Sequence, residues 1–206
     1  MGIFRVEVDS IEKMNAFREK YHIPDDVYVR LGNPLLPGAA PVYDPHTQEM
    51  PFALASIVEG GIRFPLPRFL RECLHFWQLA PTQLTSNAFK VITGSLVLNE
   101  LCDVVIGIAE VETCHLLSKV PHSEVSYYLR GQKGIDGLVN NLDSTMKNTG
   151  GDFLWVSGNW EFGDGPNRDF PVPRRIGYPG SNFLIDAYFL LFCVVIARLT
   201  LFESSL

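Results

Sequence analysis

The chain has 206 residues, 47% of them hydrophobic and 19% charged, which is enough length and apolar content for one ordinary core and excludes global disorder. A formal charge of -6 argues against a dedicated nucleic-acid grip, because such binding draws its affinity from clustered Lys and Arg that neutralise phosphates. Cys73, Cys102, Cys114 and Cys193 are widely spaced with no CxxC pair, so a reducing compartment and free thiols are expected.

Taken in order, Met1 to Asp9 alternates apolar and polar residues as a short strand would. Asp9 followed by Glu12 resembles a capping box, and Ile11, Met14, Phe17 and Tyr21 form a narrow helical stripe up to Ile23-Pro24. Val27 to Leu31 reads as a strand. From Gly32 to Pro51 the prolines at 34, 37, 41, 45 and 51 predict a long loop without regular structure. Phe52 to Val58, with Pro51 at its first turn and Gly60 just past its end, predicts a short helix.

The stretch from Glu59 to Leu101 organises the rest. After Gly60-Gly61, Leu66, Phe69, Leu70, Cys73, Leu74 and Trp77 recur at helical spacing. Ala80-Pro81 ends that helix, and Thr85-Ser86-Asn87 offers caps for a second one carrying Phe89, Ile92, Leu96 and Leu101. Two amphipathic helices joined by a proline elbow can cover each other's apolar faces, so this unit is the expected nucleus of the core. Residues 102–120 then read as a further buried helix on Val111, Cys114, Leu116 and Leu117, ending before Pro121. Val125 to Leu129 and Phe153 to Val156 are aromatic and β-branched and predict two strands. Residues 158–180, rich in Gly and Pro, read as irregular chain or linker. The run from Phe183 to Leu201 is the most apolar in the chain, with Asp186 and Arg198 near its ends and Arg174-Arg175 upstream. In a helix it reaches about the thickness of a bilayer core at about 1.5 Å per residue, so a single-pass membrane anchor with the domain in the cytosol is expected there. Without insertion, nucleus or cytoplasm is the expected place.

The expected fold class is therefore mainly α: a helical bundle with a small two- or three-stranded β element and a hydrophobic C-terminal helix. Residues 1–50 form an N-terminal segment and proline-rich loop, 51–176 the helical domain with its β element, and 177–206 the tail.

A family resemblance sharpens this reading. The run from Gly61 to Leu66, then Phe69 to Arg71, Leu79 to Leu84 and Asn87 to Phe89 resembles the opening motif of a plant domain family described as gypsy-type transposon, or plant transposon protein, domains. A looser match covers Tyr127 to Leu129 and Phe153 to Trp160, so the resemblance spans residues 22–176. It implies origin in a mobile element; the family offers no catalytic residues to carry over.

Several constellations invite a chemical reading. Cys73 with His75, and Cys114 with His115, lack the CxxC and HxxxH spacing of zinc ligands, and Cys73 falls in an apolar stripe as a core thiol would. No GxSxG elbow marks a nucleophile. Asp25, Asp26, Asp103, Asp143, Asp152 and Asp164 invite comparison with the two-metal carboxylate sites of transposases and integrases, but acidic residues are common on any soluble surface. Gly131-Gln132-Lys133-Gly134 lacks the P-loop pattern and reads as a turn. Arg63, Arg68, Arg71 and Lys90 are the best case for a nucleic-acid face, but Glu59 and Glu72 lie among them, as on a solvated surface. Tyr127, Tyr128, Trp155, Trp160 and Phe162 would serve either as a base-stacking platform or, as core packing requires, between sheet and helices. The expectation is a noncatalytic domain with no catalytic, cofactor or metal residues, acting through a protein partner or self-association; a nucleic-acid accessory module is the alternative, with no tight binding expected.

Overall fold

The computed structural model of the chain describes residues 4, 7–32, 41–140, 142 and 152–179. Strand alternation sets up its first layer. In β5 (Phe153–Gly158) Leu154 and Val156 point inward and are fully buried. Strands β1 (Val27–Leu31) and β2 (Met50–Ala53) flank β5, both antiparallel, giving the order β1-β5-β2. The register places Leu154 between Leu31 and Phe52, and Val156 between Val29 and Met50, so one face of the sheet is apolar across all three strands. Phe52 meets the rings of Phe64 and Trp160 edge-on at 5.1 and 5.4 Å, a favourable aromatic geometry.

The helices pack as their caps and stripes dictate. Helix α1 (Ile11–Lys20) is capped by Ser10, whose side chain accepts from the Lys13 amide, and Arg18 ties it to the sheet by donating to the carbonyls of Val27 and Pro24, each at 2.7 Å. Helix α2 (Leu54–Val58) follows β2 directly. Helix α3 (Arg68–Trp77) buries Leu70, Cys73, Leu74 and Trp77. A 3-10 turn at Pro81–Gln83 forms the elbow, and α4 (Ser86–Cys102) starts at Thr85, whose hydroxyl accepts from the Ala88 amide. Gly60 is where α2 ends against α4: a Cβ there would sit 2.5 Å from the Ser56 carbonyl oxygen and 2.8 Å from the Phe89 Cβ, so only glycine permits the approach.

Gln83 anchors the elbow. It is buried, its side-chain oxygen accepts from the amides of Ala80 (3.0 Å) and Gly177 (2.8 Å), and its side-chain nitrogen donates to the carbonyls of Val125 (3.1 Å) and Gly177 (2.8 Å). Those four bonds use both donor hydrogens and two acceptor positions of the amide. Through them a turn near the middle of the chain is fastened to two distant segments.

The fold class departs from the expected one. Among the described residues the architecture is mixed, with five α-helices and five strands in two antiparallel sheets, rather than mainly α. Two local errors account for it. Residues 102–120 are not one helix: α5 (Ile108–Cys114) gives way to β3 (His115–Lys119), which pairs with β4 (Tyr127–Gly131) through Leu117 opposite Leu129. And the segment expected to start a helix at Phe52 is strand through Ala53, because β5 offers it a partner edge. The expected hydrophobic C-terminal helix from Phe183 to Leu201 lies outside the described residues; of the strand expected from Met1 to Asp9, the described residues, Phe4 and 7–9, form turns instead, the Glu7 amide donating to the Phe4 carbonyl at 3.0 Å. Among the described residues no helix is long and apolar enough to cross a membrane.

Candidate interaction site

Helix α4 is longer than the body it packs on. Its 17 residues extend about 25 Å at about 1.5 Å per residue. The first half buries Ala88, Phe89, Val91, Ile92 and Ser95. On its outer face Val139 covers Gly94 so closely that a Cβ there would lie 2.6 Å from a valine methyl. One turn further on the cover ends. Val97 and Leu101, four residues apart and so on one face, are 52% and 77% exposed. An apolar helix face is normally covered by the core; at this end of α4 it is not. Leu101, expected in the core with Phe89 and Ile92, faces solvent instead.

The loop beyond α4 continues the apolar surface in a fixed shape. Asp103 closes the helix in the left-handed region at φ 50°. The Asn99 side chain then clamps Ile106, accepting from its amide at 2.6 Å and donating to its carbonyl at 3.1 Å. Val104 and Val105 stand on the closed loop between them, and Val105 is 91% exposed. Glu110 starts α5 by accepting from the Gly107 amide at 2.8 Å. Glu100, Asp103 and Glu110 are all exposed around the valines and Leu101, so the apolar end is bordered by three carboxylates, and there is no Lys or Arg between positions 95 and 115.

A second cluster lies across the molecule, where 159–177 runs back over α3. This segment has no regular structure, as expected, yet it is fastened rather than loose. Arg71 is 4% exposed and donates to the Asp169 carbonyl; His75 Nδ1 meets the Pro171 carbonyl at 2.9 Å. Glu161, also buried, accepts from the Val172 amide at 2.5 Å and from Arg174. The Arg174 guanidinium lies 4.5 Å over Trp160 and 5.6 Å over Tyr43, while Arg71 and Arg168 lie 4.6 and 5.1 Å from the Phe162 ring. Burial lowers the pKa of the Arg71 guanidinium from its ordinary value; Glu161 opposes that shift, and Arg68 and Arg168 add to it. Beside these groups is a cavity of about 220 Å³.

No family model, curated protein or solved structure matches the chain. Cys73 is buried and burial pushes its thiol up; His115 Nε2 accepts from the Leu138 amide at 3.2 Å. Among the described residues no three His, Cys, Asp or Glu side chains come close enough to hold a metal ion. Of the acidic set, Asp26 and Asp164 are brought together, both accepting from the Asn159 side-chain nitrogen at 3.0 Å. Asp25 projects into solvent, Asp103 caps α4, Asp152 is buried at the start of β5, and Asp143 and Cys193 lie outside the described residues. Of the Gly131 to Gly134 run, Gly131 ends β4 and the rest forms the turn after it.

The basic set is spread over internal partners. Arg63 donates to the Ile62 carbonyl and lies 5.1 Å over Tyr21, Arg68 faces Asp169 at 3.8 Å, Lys90 faces Glu59 at 4.0 Å, and Arg71 is buried. The aromatic set is divided as well. Tyr127 and Tyr128 belong to the β3-β4 hairpin, whereas Trp155 lies on the other sheet beneath Arg30 at 5.4 Å, with that arginine held by Glu49. Trp160 and Phe162 sit with the arginines. Sequence reasoning missed Val104, Val105, Glu161 and Arg168. The valines looked like core, and the others fell in a Gly/Pro-rich run whose one signal was its aromatic residues, Trp160 and Phe162.

Proposed function

We propose that the chain is a noncatalytic domain derived from a plant transposable element and that it works by protein association. The motif from Gly61 to Phe89 supports the origin, and the observation that carries the association is the clamped, solvent-facing apolar end of α4. Val97, Leu101, Val104 and Val105 make a surface that water disfavours, and the Asn99 clamp presents it in one shape, which lowers the entropic cost of binding. Its carboxylate border selects the partner: an amphipathic segment with Lys or Arg flanking its apolar face gains at Glu100, Asp103 and Glu110. A second copy docked by a two-fold axis would set the same three carboxylates against one another, and an anionic membrane or a nucleic acid would be repelled.

The test is binding of a basic amphipathic helical peptide, with Leu at helical spacing and Lys on the flanks, against an acidic peptide with the same leucines. Fluorescence anisotropy is expected to give binding for the basic peptide alone, weakened about tenfold or more by Leu101→Asp or Val105→Asp. Equal binding of both peptides, or no effect of either substitution, overturns the assignment. Retention of the chain on DNA or RNA that falls with added salt would move the reading to a nucleic-acid accessory module.

A further inference from the structure

We propose that the cavity beside Arg168 and Arg174 binds a small oxyanion of the phosphate class. This does not rest on the association reading, since the two surfaces share no residue. Charge around the cavity is unbalanced. Among the described residues Glu161 is the one carboxylate lining the cavity, and both its oxygens are taken, by the Val172 amide and by Arg174. Arg168 is exposed, lines the cavity, and has no ion pair or side-chain hydrogen bond among the described residues. Behind Phe162, Arg71 is almost wholly buried and makes no ion pair among the described residues; of the carboxylates that act on it, Glu161 is committed to Arg174 and Asp169 faces Arg68. A buried guanidinium without a counter-charge of its own is costly.

Its hydrogen bonding is incomplete as well. Among the described residues Arg71 Nε and Arg174 Nη1 are both buried and have no hydrogen-bond partner. Native structures rarely leave such donors unsatisfied; Arg174 lines the cavity itself, and Arg71 adds its charge from behind the Phe162 ring. Phosphate suits it: several acceptor oxygens, geometry matched to guanidinium forks, and a charge that offsets the arginines.

Other ligands fit less well. Two arginines against one committed glutamate exclude a cation. A flat nucleobase would need a free ring, but Arg174 already lies over Trp160 and Tyr43, and Arg168 over Phe162. The Asn159 side-chain nitrogen, also on the cavity wall, is committed to Asp26 and Asp164, so the donors come from the arginines, with Gln48 and Tyr43 from a separate segment of the wall.

The experiment is thermal melting of the full chain in sodium phosphate against sodium chloride at matched ionic strength, with titration calorimetry as the second measurement. At millimolar phosphate the melting temperature is expected to rise by about 2 to 4 °C or more, with a calorimetric isotherm of about one site. Arg168→Gln, an exposed change that leaves Arg71, Glu161 and Arg174 in place, should remove most of both signals. Phosphoserine in place of inorganic phosphate separates the sources: an equal rise assigns a site open to free anion or monoester, and a rise with phosphoserine alone assigns the monoester. No rise with either, or an unchanged rise in Arg168→Gln, overturns the proposal.

Discussion

His115 opens β3 with its ring in the core, and burial lowers its pKa below the ordinary 6.5. The neutral ring is needed, because Nε2 accepts from the Leu138 amide. In the unfolded chain the imidazole takes up its proton near pH 6.5, before the folded one does, so the unfolded state binds more protons in that window and stability falls as the pH drops. The contribution is complete above pH 6.5 and lost as pH drops through the lowered folded value. Denaturant unfolding at about pH 7.5 and about pH 5.5, on either side of the unfolded imidazole's 6.5, should show the wild type losing more stability than His115→Gln; equal losses would place the titrating group elsewhere. At this scale the sequence was informative about apolar residues and mute about polar ones. Leu70, Leu74 and Trp77 were expected inside from spacing alone and are fully buried. Gln83 was only a motif position, since its partners Val125 and Gly177 lie 42 and 94 residues away and no local pattern reports them.

Among the elements, β5 depends on how it ends. Gly158 pairs with Val27 and adopts φ 79°, and a Cβ there would collide with the Asp26 carbonyl oxygen. Gly158→Ala should therefore cost more than about 1 kcal/mol through backbone strain and displacement of β1. A thermal melt matching the wild type would show that β1 tolerates the shift. The helix–elbow–helix unit was legible because 3.6-residue spacing, a proline and a Thr cap all agree locally. The hairpin of β3 and β4 was not. His115 to Lys119 is a short stretch with two leucines that periodicity alone cannot assign, and the pairing that decides it comes from residues 127–131. The exposed end of α4 was illegible for the converse reason: Leu101 has the spacing of a core residue, and only the extent of the body beneath the helix shows that nothing among the described residues covers it.

For the whole molecule the sequence overestimated helix because it judged each segment without its long-range partner. It also read residues 158–180 as irregular chain or linker; the run is irregular, but Asp169, Pro171 and Gly177 fasten it to α3 and the elbow, and Glu161 ties it to itself through Arg174. The cell-level prediction still rests on composition: the apolar run at 183–201, with its charges near the two ends, is proposed to hold the chain at a membrane, because a central charge would cost about 2.5 to 3.5 kcal/mol there and none is present. A tagged full-length chain should then resist carbonate extraction, and a chain lacking residues 181–206 should not. Recovery of the full-length chain entirely in the carbonate supernatant would end the proposal.

The position of β5 in its sheet also bears on how the protein is made. Strands β1 and β2 do not pair with each other; each waits for β5, whose residues follow β2 by about a hundred positions. At about 5 to 20 residues per second, a ribosome leaves those two strands without their neighbour for about 5 to 20 s. During that interval the nascent chain exposes two unpaired strand edges carrying Val27, Val29, Met50 and Phe52, and the sheet closes only when nearly the whole domain has emerged. Pairing of this sheet is thus late and non-local, in the class where folding is slow.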